Sequence, residues 1–147
     1  MIDLAKTRAF FQKRFVDNVG TIGVPEAQVV WENVTDDGVD KTATWVRFSW
    51  TSIGNEFRTF GEGGMIEFTD MGTIEIFLPI TGKTQGTKTA LDIQKQLLEL
   101  YKIGTQGKAD TDIAVYVDTT RPLTLGQFDS AYHREAMQFV YRAWTPN

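Results

Sequence analysis

Apolar positions from Asp3 to Val19 recur near helical spacing. Leu4, Phe11, Phe15 and Val19 stand against Lys6, Lys13, Arg14 and Asp17, which predicts an amphipathic helix ended by Gly20. "TIGVPEA" then reads as a turn, because Pro25 fixes its own φ and keeps Val24 extended. A short strand is expected over residues 28–33, followed by "TDDGVDK", a loop rich in turn formers. From Thr42 the pattern becomes alternation: Val46, Phe48 and Trp50 share one face while Trp45, Arg47 and Ser49 share the other, a strand with one buried side.

"GNEFRTFGEGG" carries four glycines and predicts a long loop or a bulged hairpin arm. "MIEFTDMGTIEIFLPI" resumes strand character, with Gly72 marking a bulge or a tight turn between two strands and Pro79 ending the pairing. Here Ile74, Ile76 and Leu78 oppose Glu75 and Phe77. A second helix spans Thr87 to Ile103, with Ala90, Ile93, Leu97, Leu100 and Tyr101 on one stripe and Gly104 as its stop. "TDIAVYVDTT" is a strand with Ile113, Val115 and Val117 on one face.

"YHREAMQFVYRAW" fits two periods. As a strand it aligns Met137, Phe139 and Tyr141; as a helix it aligns Tyr132, Ala136, Phe139, Val140 and Ala143, and its aromatic and β-branched content favours the strand. The order is α-β-β-β-α-β-β. It predicts a single α+β domain over residues 1–147: an antiparallel or mixed sheet of four to six strands with two helices packed on one face.

Composition sharpens this. An apolar content of 41% and ten Phe with four Trp support a packed interior. The absence of cysteine excludes disulfides and thiolate metal sites, and with no signal-length apolar core or bilayer-spanning run the expectation is a soluble, unexported chain. The net charge of −4 is uneven: residues 1–20 carry four bases against two acids, residues 21–80 three against ten, and residues 81–147 eight against seven. An acidic middle argues against wrapping nucleic acid, since phosphate binding needs a basic footprint.

Candidate chemistry is sparse. "TGKT" at 81–84 lies between a strand and a helix, but a phosphate loop needs glycine five positions before Gly82, and Phe77 stands there. His133, the single histidine, is near Asp129 and Ser130 without a G-x-S-x-G elbow. Asp36, Asp37 and Asp40 lack EF-hand spacing and its bidentate glutamate, so turn chemistry explains them. Glu67 and Glu75 could meet across a hairpin as an acid and base pair. No catalytic constellation emerges, and neither cofactor nor metal is expected. Aromatics at loop positions stand out instead: Trp31, Phe57, Phe60 and Trp144. Phe57 and Phe60 with Arg58 have the composition of an interface, the competing reading for each ring being burial in its own core.

Taken in order, the N-terminal helix, "VVWENV", "TWVRFSW", a glycine-rich arm and "GTIEIFLPITGKTQGTKTALDIQKQL" before a final strand resemble tail terminator and minor tail proteins of lambda-like, long-tailed bacteriophages. The best-matching positions are Trp31, Glu32 and Asn33, then Trp45, Val46 and Arg47, then Ile74, Ile76, Phe77 and Pro79 followed by Gly86; "FGEGGMIEFTDMG" is longer than the resemblance leads one to expect.

The resemblance implies a structural virion protein and no enzyme. Its copies form a homo-oligomeric ring, usually hexameric, that sits on the end of the tail tube, stops its polymerisation and presents a surface for head joining. The implied partners are other copies of the chain, the tail tube protein and a head completion or connector protein. DNA only passes through the lumen without specific binding, no membrane is involved, and the setting is the virion tail, with the host cytoplasm during assembly. The interface residues this suggests are Trp31, Glu32, Asn33, Arg47, Phe57, Arg58 and Phe60. Trp31 supplies apolar area, Asn33 satisfies backbone groups where the strand turns, and Glu32 meets a base on a neighbour, Arg47 or Arg58.

A rival expectation from another class is a small-molecule binder or enzyme on a cone-shaped α+β scaffold. Its aromatic-lined pocket would hold Glu67, Asp70 or His133 as polar groups.

Overall fold

The computed structural model describes residues 3–58, 65–80, 88–127 and 132–146. Asp3 starts helix α1 (Leu4–Val16) by accepting the backbone N–H groups of Ala5 and Lys6 at 3.0 and 3.4 Å, and Lys13 and Arg14 suit the negative end of its dipole. The helix stops before Val19. A short second helix, α2 (Val19–Ile22), takes in Gly20, and the left-handed residue that ends it is Gly23, with φ of 88°. Beyond it the expected strand over 28–33 shrinks to β1 (Val29–Val30), because a short 3-10 turn occupies Glu26–Gln28 and the chain bends away after Val30.

β1 pairs in parallel with β2 (Trp45–Arg58), and β2 pairs antiparallel with β3 (Met65–Pro79). Gly72 makes neither a bulge nor a turn there: β3 runs straight through it, opposite Trp50. The residue is small because a Cβ would lie 2.5 Å from the Phe139 ring and 2.9 Å from that of Trp50. The bulge in this hairpin falls on β2 instead, between Ser52 and Gly54. Helix α3 (Lys88–Leu100) follows, shorter than expected at its C-terminal end. β4 (Gln106–Asp110) has no apolar alternation to announce it, and it pairs antiparallel with β5 (Ile113–Gln127). β6 (Tyr132–Pro146) settles the ambiguous last segment as a strand, lying between β3 and β5.

The result is a mixed six-stranded sheet in the order β1-β2-β3-β6-β5-β4. Among the described residues the element order is α-α-β-β-β-α-β-β-β, one helix and one strand more than the pattern predicts, within the α+β class. Phe11 and Phe15 of α1 and Ala90, Ile93 and Leu97 of α3 share a core with Val46, Phe48, Trp50, Ile74, Ile76, Leu78, Met137, Phe139 and Tyr141. These strand residues share one face by register, so both helices cover that face. The opposite face is not wholly solvated, since Val30, Trp45 and Phe77 form a second small cluster with Tyr132 against it.

A buried polar chain pins α1 to the sheet. Asp70 on β3, fully buried, accepts from Arg8 Nε at 2.9 Å and Nη2 at 3.2 Å and from the Tyr141 hydroxyl at 2.7 Å. The Tyr141 oxygen is also 2.8 Å from Thr7 Oγ1. Hydrogen bonding to Asp70 raises the Arg8 pKa further, and burial, reinforced by the Asp70 charge, pushes the Tyr141 phenol up. No helix among the described residues is long and apolar enough to cross a membrane.

Candidate assembly interface

β1 leaves β2 at a turn made by the residues the sequence singles out. The Val34 N–H bonds to the Trp31 carbonyl at 3.1 Å, closing a four-residue turn with Asn33 at its third position, where φ is 64°. Asparagine tolerates that left-handed conformation better than most side chains. The chain therefore peels off β2 after the Val30–Arg47 pair, and no described residue pairs with the outer backbone of β2 beyond that point as a strand.

The gap so opened is a groove of about 480 Å³ lined by Trp31, Glu32, Asn33, Asp36, Arg47 and Phe48 with their neighbours. Four of the seven expected interface residues thus meet in one place. Trp31 is half-buried and stacks on Phe48, with ring centroids 5.7 Å apart, while meeting Phe15 edge-on at 6.1 Å. It belongs in part to its own core. Arg47 lies over the Trp45 and Phe77 rings, 5.6 and 5.4 Å from their centroids, with Asp36 at 3.7 Å. Glu32 faces Arg8 of its own chain at 3.7 Å, too far for a tight ion pair. The backbone of Phe57 and Arg58 continues β2 opposite Ile66 and Met65, but their side chains and all of Phe60 lie outside the described residues.

The loop forming the groove's outer wall is held by a residue that pattern reading passes over. Gln28, buried, donates from Nε2 to the carbonyls of Asp40 at 2.8 Å and Thr44 at 3.2 Å, and accepts from the Asp40 N–H at 2.8 Å. A glutamine at the start of an apolar run was the one available signal. Asp40 in turn accepts from the Thr42 hydroxyl and N–H, which lower its pKa, and Asp36 begins a 3-10 turn. Turn chemistry accounts for Asp40, while the Asp36 carboxylate faces Lys41 at 3.2 Å as well as Arg47.

The polar groups of the rival pocket do not converge. Glu67 and Asp70 point to opposite faces of β3, and Asp70 pairs across to Tyr141 while His133 pairs with Leu78, at the far end of the same strands. Glu67 is taken by Arg142 at 2.8 Å and Trp144 Nε1 at 3.0 Å, and His133 Nε2 lies 2.8 Å from Glu135. Glu67 and Glu75 share one strand, and Glu75 takes Arg134 at 3.1 Å. Trp144 stacks on Tyr116, with ring centroids 4.6 Å apart. Asp129, Ser130 and the "TGKT" segment lie outside the described residues. Among those described, no group of three or more His, Asp or Glu side chains is placed to hold a metal ion.

No family model and no curated protein matches this chain. Solved structures do: one protein, whose name states no function, aligns over 97% of this chain and 96% of its own with a TM-score of 0.68 and 18% identity. That likeness establishes a shared fold.

Proposed function

We propose that this chain is a structural protein of a long-tailed bacteriophage, a tail terminator whose copies assemble into a ring on the end of the tail tube, stop its growth and offer a surface for head joining. The observation that carries the reading is the convergence of Trp31, Glu32, Asn33 and Arg47 on one open groove beside a stretch of sheet edge with no strand partner among the described residues. These are among the positions that carry the resemblance to tail terminators. Exposed backbone donors and acceptors at a sheet edge form a template for another strand, and a half-buried aromatic beside them adds apolar contact. The activity is assembly, with no bond broken.

The test is mass in solution by light scattering over a range of protein concentration and salt. Copies carrying −4 repel one another, so salt should favour a closed species whose mass reaches a plateau with concentration. A monomer or two-fold dimer throughout overturns the proposal.

A further inference from the structure

The sheet has a second open margin. Beyond the part covered by β4 and by the backbone of Gly104 and Thr105, β5 from Thr119 to Gln127 has no strand on its outer side among the described residues. β2 is open in the same way from Phe48 to Arg58. The successive pairs β2–β3, β3–β6 and β6–β5 are all antiparallel, so these margins run in opposite directions on opposite sides of the sheet. Each is interrupted by a bulge, and each bulge displays an aliphatic residue. Ile53, between Ser52 and Gly54, is 56% exposed; Leu125, between Thr124 and Gly126, is 39% exposed. The other bulge on β5, where strand cover ends, instead carries Asp118, matched to Arg142 at 3.4 Å. Edges are blunted by charged side chains as well as by bulges, and at these two open bulges the exposed residue is aliphatic, so the charge that would repel a neighbour is absent there.

We infer that the β2 margin of one copy pairs antiparallel with the β5 margin of the next, with Ile53 and Leu125 in contact across the junction; this rests on the ring reading above. A second copy is the occupant because a single chain carries both halves of the match, opposite in direction and each with its apolar contact. Aligning the two bulges sets Thr51–Arg58 beside Thr120–Gln127. Pro122, within that stretch, removes one donor and restrains indiscriminate pairing. Because the two margins differ, the junction is head-to-tail, the kind that closes into a ring when the rotation per step divides a full turn.

The absence of cysteine makes the test clean. Under mild oxidation the double variant I53C/L125C should give a disulfide-linked ladder reaching the full ring, whereas I53C or L125C alone should not pass the dimer. I53K and L125K should each weaken association about tenfold or more. Mixed together they should form dimers and stop, since only one intact junction can be built from the pair. Assembly of the unmodified chain without the ladder, or assembly indifferent to both lysines, overturns this junction and leaves the ring reading standing. An unmodified chain that never assembles overturns both.

Discussion

Arg8 of α1 grips Asp70 of β3 through two nitrogens, and Asp70 is fully buried while Arg8 keeps about a quarter of its side chain in water. The asymmetry decides which loss costs more. Arg8→Ala strands a buried carboxylate, and a cost of about 3 kcal/mol is expected. Asp70→Asn leaves a guanidinium that water reaches, and should cost less. Replacing both together by apolar residues of similar volume should recover part of the loss. Denaturant unfolding of the three variants checks the ranking; equal costs for the two single changes would contradict it.

Gly72 and Gly107 both face rings where a Cβ would stand, at 2.5 Å from Phe139 and from Phe10 respectively. Phe139 is fully buried among other rings, and Phe10 is only partly covered. Gly72→Ala should therefore destabilise by about 1–3 kcal/mol through overpacking, and Gly107→Ala by less, because Phe10 has room to swing outward. Thermal melts of the two variants should separate them in that order, and pairing Gly107→Ala with Phe10→Ala should remove the steric part of its effect.

At Asn33 the backbone is left-handed without the freedom of glycine. Asn33→Ala should cost about 1 kcal/mol, and Asn33→Gly should be neutral or mildly stabilising. If the turn at Trp31–Val34 keeps the groove open, Asn33→Ala should also lower the association constant, read by light scattering, more than Asn33→Gly does.

Burial raises the Tyr101 and Tyr141 phenols well above their ordinary value of 10.0, and each keeps its proton for a hydrogen bond, Tyr101 to the Phe11 carbonyl at 2.6 Å and Tyr141 to Asp70. A folded pKa above the unfolded one stabilises fully below the unfolded value and is lost as pH rises toward the folded value. Stability should hold below about pH 10 as far as these two groups are concerned, then fall as the unfolded chain begins to ionise. Phenolate absorbance from the two should appear together with unfolding; ionisation of all tyrosines in the still-folded chain would count against this.

Strong periodicity was legible, and the elements it predicted are those with a clear core stripe. The α3 stripe of Ala90, Ile93 and Leu97 and the alternation Val46-Phe48-Trp50 are buried as expected. Trp45 is buried too, on the other face, because Phe77 stacks on it at 4.0 Å, a partner that no local pattern reveals. β4 leaves no mark in the sequence because "QGKAD" has no apolar alternation; it is defined by pairing to β5 and by Phe10 packed over Gly107. The bulge at Asp118 swaps the faces of β5: Ile113, Val115 and Val117 lie on the helix-covered face before it, and Thr120, Pro122 and Thr124 take that face after it, where Pro122 and Thr124 are exposed. Of the interface candidates, Trp31, Glu32 and Asn33 stand out in the sequence as an aromatic, an acid and an amide at a strand exit, and in the structure they line one groove with Arg47. Their convergence needed β2 beside them.

Had the chain continued past Val30 in step with β2, its own main chain would have sealed that border and consumed the amide and carbonyl groups along it. One left-handed residue, Asn33, withholds them. On the ring proposal, intramolecular saturation and sociability compete for the same hydrogen-bonding groups, and a two-residue strand is the compromise that would leave them to a neighbour.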